Sequence, residues 1–140
     1  MSTAGPLLRH RFETLADASA ALAEAVAVRL RTCVDERGRA LLAVPGGTTP
    51  ARFLAALAEH ELPWEKVTVM PTDERFVAPD DLASNERMIR AAFAPLRDGR
   101  AGFVSFHSCG DDLAAAAASL DRLLAGLPAL DIVVSGMGAD

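Results

Sequence analysis

The chain has 140 residues, enough for one α/β domain with a real hydrophobic core. Hydrophobic residues make up 51% and charged residues 24%, a balance that excludes a disordered chain and predicts a soluble globular one. The net charge of −5 argues against non-specific nucleic-acid binding, so any anion site must gather its positive charge locally. The cations are almost all arginine, which suits bidentate phosphate contacts.

Residues 7–13 are read as a short first strand. A long helix over about 15–36 follows, with Ala16, Ala20, Ala23, Val26, Ala27 and Leu30 at helical spacing and Gly38 ending it. Asp17 and Glu24 lie in its Ala-rich part, so it is an amphipathic helix and not a membrane span. The apolar run Leu41-Leu42-Ala43-Val44 reads as a buried parallel strand over 40–44. Pro45-Gly46-Gly47-Thr48-Thr49-Pro50 then gives a tight turn and a helix start, with Thr49 as cap and Pro50 at the first helical position. Free N–H groups and the helix dipole make such a turn suitable for a phosphate, although alone it is equally an ordinary strand-to-helix connection. The helix runs to about His60 and buries Phe53, Leu54 and Leu57.

Trp64 leads into a strand over 67–70, which ends at Asp73-Glu74-Arg75. A polar loop follows, then a helix with Ser84 as N-cap, running to about Phe93 and stopped by Pro95. A strand is expected over 102–106, a helix from Asp111 or Asp112 to Gly126, a strand over 131–135, and a second glycine turn at Gly136-Met137-Gly138. Strands alternating with helices predict a doubly wound, mostly parallel Rossmann-like sheet with helices on both faces, in a single domain spanning 1–140. Ligands of such sheets bind beyond the carboxyl ends of the strands, where both glycine turns and Asp73-Glu74-Arg75 fall.

The acid-acid-base triplet offers Arg75 to a phosphate or carboxylate and Asp73 to substrate hydroxyls, but a surface ion cluster also accounts for it. Helix capping is a sufficient reading of Ser84. His10 and His60 read as surface residues, and His107 follows a strand and is within reach of the site. Cys33 and Cys109 lack any CxxC or metal-ligand spacing and read as reduced, inert thiols of a cytoplasmic protein.

Taken together, Gly-Gly-x-Thr-Pro, Trp64, Asp-Glu-Arg, Ser-Asn and Gly-Met-Gly-x-Asp, in this order and spacing, resemble the 6-phosphogluconolactonase family from about residue 10 to the last residue. That family belongs to a wider group of sugar-phosphate isomerases and deaminases. The resemblance implies hydrolysis of 6-phosphoglucono-1,5-lactone to 6-phosphogluconate in the pentose phosphate pathway, with no metal and no organic cofactor. Gly46, Gly47 and Thr48 match the substrate loop. Asp73 and Arg75 match the active-site acid and base of the Asp-Glu-Arg motif, and Ser84 and Asn85 match the pair assigned to substrate binding. Gly136, Met137, Gly138 and Asp140 match the start of the last motif, which in the family continues Gly-His-Thr-Ala-Ser and supplies a histidine base. The sequence ends at Asp140, so truncation before that base is expected. The implied partner is a small sugar phosphate bound by a monomer, with no nucleic acid and no membrane. The competing readings are a sugar-phosphate isomerase or deaminase of the same fold and a non-catalytic sugar-phosphate-binding module; the sequence shows no helix-turn-helix that would attach such a module to DNA.

Overall fold

A computed structural model describes residues 5–107 and 112–136. Helix α1 spans Leu15–Arg37. The Thr14 hydroxyl accepts from the Asp17 amide at 3.0 Å to start it, and Gly38 ends it at φ 77°, a left-handed conformation that costs a glycine little. Its inward stripe is Ser19, Ala23, Val26, Ala27, Leu30, Cys33 and Val34. Ala16 and Ala20, expected in that stripe, are exposed, and in those first turns it is Ser19 that faces inward.

Strand β1 (Ala40–Val44) is buried along its whole length. It is followed by α2 (Thr48–Ala58) and β2 (Val67–Pro71), then α3 (Asn85–Ala92) and the short α4 (Ala94–Arg97). Strand β3 (Gly102–Phe103), helix α5 (Leu113–Ala125) and strand β4 (Ile132–Val133) complete the described chain. The sheet order is β3-β2-β1-β4, and every pairing is parallel. Chain order reverses beside β1, so the crevice between the carboxyl ends of β1 and β4 is the topological switch point.

Alternation along β1 and β2 divides the interior. Leu42, Val44, Val67 and Val69 join the large core under α1, α2 and α3, with Phe53, Leu54, Leu57, Trp64 and Phe93. Burying each of these larger side chains is worth about 1.5–3 kcal/mol. Trp64 meets Phe93 edge to face, with ring centroids 5.2 Å apart. On the opposite face Leu41, Ala43 and Met70 form a smaller cluster, covered by Val104, Phe106, Leu124 and Leu127. The sheet is therefore covered on both faces, but unequally.

Four expected elements differ, one of them β4, which covers only Ile132–Val133 of the strand expected over 131–135. Residues 7–13 form no strand: Leu7 and Leu8 are 83% and 71% exposed, and no strand of the sheet pairs with them. Helix α2 begins at Thr48 with Gly47 as its cap, so Thr49 and Pro50 lie inside the first turn. Gly47 permits this early start because it adopts φ 115°, ψ 175°, a region essentially reserved for glycine. The ladder of β3 stops earlier than expected, with Val104 giving one further bond to the Val69 carbonyl at 2.9 Å. Ser84 and Asp112 cap α3 and α5 as the sequence predicts.

At the other end of the sheet Asp131 fastens β4 to β1. Its Oδ2 accepts from the Leu41 amide at 2.7 Å, its own amide donates to the Leu41 carbonyl at 3.0 Å, and its Oδ1 takes the Arg37 guanidinium. Among the described residues no helix is long and apolar enough to cross a membrane.

Candidate functional site

The β1–β2 register pairs Val44 with Pro71, and the Thr72 amide extends it by donating to the Val44 carbonyl at 3.0 Å. Gly46 and Asp73 therefore leave the sheet side by side. The Asp-Glu-Arg triplet then splits in two: Asp73 and Arg75 are exposed, whereas Glu74 is half-buried against the start of α3.

Glu74 Oε1 accepts from the amides of Asn85 at 2.7 Å and Arg75 at 2.8 Å. Its Oε2 accepts from the Glu86 amide at 2.9 Å and the Ser84 hydroxyl at 3.1 Å. Ser84 in turn accepts from the Arg87 amide at 3.3 Å, so two side chains share the capping of one helix. Burial alone would raise the carboxyl pKa of Glu74. The amides of Glu86, Asn85 and Arg75 and the Ser84 hydroxyl outweigh it and hold the group below its ordinary value.

Asn85 stands at the centre. It is 5% exposed, and both ends of its amide are engaged. Oδ1 accepts from Arg75 Nη1 at 3.0 Å, and Nδ2 donates to Asp73 through its backbone carbonyl at 3.0 Å and its Oδ1 at 3.2 Å. Arg75 Nη1 also donates to the Ala83 carbonyl at 3.1 Å. Its Nε and Nη2 have no partner among the described residues, which leaves an anchored guanidinium with donors available to an anion.

Glu86, buried behind this group, receives Arg90 Nε at 3.0 Å and the Ser105 hydroxyl, and so joins α3 to the segment after β3. Arg90 lies over the Phe103 ring, 4.7 Å from its centroid. His107 Nδ1 is 3.2 Å from the Val77 carbonyl, which places this exposed histidine beside the loop that follows Arg75.

Among the described residues two recesses can be traced at this end of the sheet. One, of about 280 Å³, lies along Asp73, Glu74 and Arg75 and is walled by Phe76, Phe106 and the α5 residues Leu113, Ala116, Ala117 and Leu120. The other, of about 170 Å³, occupies the switch point between Pro45, Thr49, Pro50 and Phe53 on one side and Val134, Ser135 and Gly136 on the other. Gly46, Asp73, Arg75, Ser84 and Asn85 thus come together, Gly47 and Thr48 start the adjoining helix, and Gly136 lies across the switch point. Met137, Gly138 and Asp140 lie outside the described residues, as does Cys109. Cys33 is a buried free thiol in the main core. His10 is exposed and His60 half-buried. Among the described residues no three His, Cys, Asp or Glu side chains converge as a metal site would require.

The sequence reading passed over Glu74 and Glu86. Glu74 had a signal, a carboxylate just upstream of a Ser-capped helix, but caps are sought next to the helix and not ten residues before it.

The fold is a parallel α/β sheet that carries an asparagine-held arginine and an aspartate at its carboxyl end. Residues 13–140 match the family of glucosamine-6-phosphate isomerases and 6-phosphogluconolactonases, and the chain belongs to that family. It is 44% identical to a 6-phosphogluconolactonase of Rhizobium meliloti over 134 residues, which are 94% of this chain and 57% of that protein. It is 40% identical to the 6-phosphogluconolactonase of Pseudomonas putida over 90% of this chain and 53% of that protein. The crystal structure of a 6-phosphogluconolactonase from Shewanella baltica superposes with a TM-score of 0.85 at 34% identity, over 91% of this chain and 55% of the other. The chain spans little more than half the length of these relatives.

Proposed function

We propose that this chain forms the sugar-phosphate-binding part of a 6-phosphogluconolactonase, acting on 6-phosphoglucono-1,5-lactone in the cytoplasm as a monomer. The observation that carries the reading is the joining of Asp73 and Arg75 to Asn85 beside Gly46, at the carboxyl end of a parallel sheet. In this reading the free donors of Arg75 take the phosphate, and that remote anchor orients the lactone ring. Asp73 receives substrate hydroxyls, and backbone N–H groups of the Gly46-Gly47-Thr48 turn stabilise the oxyanion as water adds to the carbonyl. A neutral imidazole suits activation of that water, and the family motif Gly-His-Thr-Ala-Ser, which this sequence does not contain, provides one.

The test has two arms. Calorimetry should show 6-phosphogluconate binding to the 140-residue chain, with gluconate lacking the phosphate binding far more weakly. Lactone turnover, corrected for spontaneous hydrolysis, should rise when the chain is extended by Gly-His-Thr-Ala-Ser and the sequence that follows it in a relative. Ammonia release from glucosamine 6-phosphate by either version would move the assignment to the deaminases. No binding of 6-phosphogluconate would remove it altogether.

A further inference from the structure

We propose that Asn85 is a positioning residue, which sets Arg75 and Asp73 relative to each other and is itself seated by the absence of a side chain at position 46. The sequence offered Asn85 as a substrate ligand, but its side chain is buried and its amide is already committed at both ends. The chemistry admits no other orientation. A guanidinium can only donate, so Oδ1 must face Arg75; carbonyl and carboxylate oxygens can only accept, so Nδ2 must face Asp73. Leucine would satisfy neither neighbour, and aspartate only the arginine.

The seat is made by Gly46. A Cβ there would lie 2.5 Å from Asn85 Oδ1, 2.7 Å from Cγ and 2.8 Å from Cβ, closer than atoms in contact allow. The glycine is required here for space, whereas its neighbour Gly47 is required for its positive φ. Three segments distant in sequence therefore meet through one amide: the turn after β1, the segment after β2 and the first residue of α3. As a positioning claim about the sugar-phosphate site this rests on the function proposed above; as a claim about the link between Gly46, Asn85 and Arg75 it does not.

The test separates the two. In the 140-residue chain, nitrogen-detected NMR of Arg75, assigned by its loss in Arg75→Lys, reads whether the guanidinium is held or rotates freely. Held, its Nη signals are resolved; free, they average. The wild type should show resolved signals, Asn85→Ala averaged ones, and Asn85→Asp, which keeps the acceptor, resolved ones again. Gly46→Ala should average them without touching Arg75 or Asn85 chemically. Should Asn85→Ala fail to fold by circular dichroism, Gly46→Ala and Asn85→Asp decide the matter. Averaged signals in the wild type, resolved signals in Asn85→Ala or Gly46→Ala, or averaging in Asn85→Asp would each overturn the link. In parallel, Kd for 6-phosphogluconate should rise roughly tenfold in Asn85→Ala and Gly46→Ala, the equivalent of one charge-assisted hydrogen bond. An unchanged Kd with averaged Arg75 signals would refute the positioning role. Absence of binding in the wild type would refute the sugar-phosphate reading, and the NMR outcome would still decide the link.

Discussion

Glu74 and Glu86 are joined end to side: the carboxylate of the first accepts the backbone N–H of the second at 2.9 Å, across twelve residues of sequence. A loop carboxylate thereby completes the N-terminus of α3, and it does so from between the two outward-facing residues of the site. Loop and helix are one unit, so the placement of Asp73 and Arg75 depends on a residue that faces away from them.

Glu74→Ala should lower stability by about 0.5–2 kcal/mol, the range for losing a helix cap. Ser84 still caps the Arg87 amide in this variant, which keeps the loss within that range. Urea unfolding is the measurement, and an unchanged midpoint would show that water serves the Asn85 and Glu86 amides equally well.

The same carboxylate gives a pH dependence of known sign. Its folded-state pKa lies below the ordinary 4.5, so the folded state binds its proton more weakly than the unfolded chain does. Its contribution is complete above the unfolded value and is lost as pH falls through the lower folded value. The stability difference between wild type and Glu74→Gln should therefore be constant near neutrality and shrink below about pH 4.5. A difference that grew on acidification would contradict this account.

Gly47→Ala should cost about 1–3 kcal/mol through backbone strain alone. The nearest atom to an added Cβ is Pro50 Cδ at 3.7 Å, so there is room for the side chain and only its φ of 115° is unfavourable. Thermal unfolding reads the loss; if stability were kept, the turn must be able to relax to negative φ.

Arg75→Ala should weaken 6-phosphogluconate binding by about 1.5–3 kcal/mol, as expected for a hydrogen bond to a charged group. Calorimetry is the check. Equal affinity would place the phosphate elsewhere, with the switch-point recess beside Thr49 and Gly136 the next place to look.

Asp131→Ala should expose the start of β1 to exchange. The Leu41 amide loses the one acceptor it has among the described residues and should lose protection against hydrogen exchange, while the Val69 and Leu42 amides within the sheet keep theirs. Retained protection at Leu41 would mean that another acceptor takes over.

Much of this was legible from local pattern. The apolar run 40–44 became β1, Phe53, Leu54 and Leu57 became the buried face of α2, and Ser84 and Asp112 became caps. Each depends on neighbours in the chain. The false strand at 7–13 shows the limit of such reasoning: a weak apolar run forms a strand only where a sheet edge receives it. Asp73, Arg75 and Asn85 stood out in the sequence as candidates through a motif resembling that of a family. Their mutual arrangement was not, because it arises from contacts between residues ten and more apart, and nothing local in Gly46 announces that an asparagine thirty-nine positions later occupies the space above it.

The edge-to-face pair of Trp64 and Phe93 makes the molecule its own optical probe. There is one tryptophan and no tyrosine, so near-ultraviolet excitation falls almost wholly on a single indole that is 2% exposed. Its emission should be blue-shifted in the native state and move to the red as the large core opens. Phe93 is the residue on which α3 ends, so the signal follows the same helix that carries Asn85. Loosening of α5 on the thinner face should leave it silent.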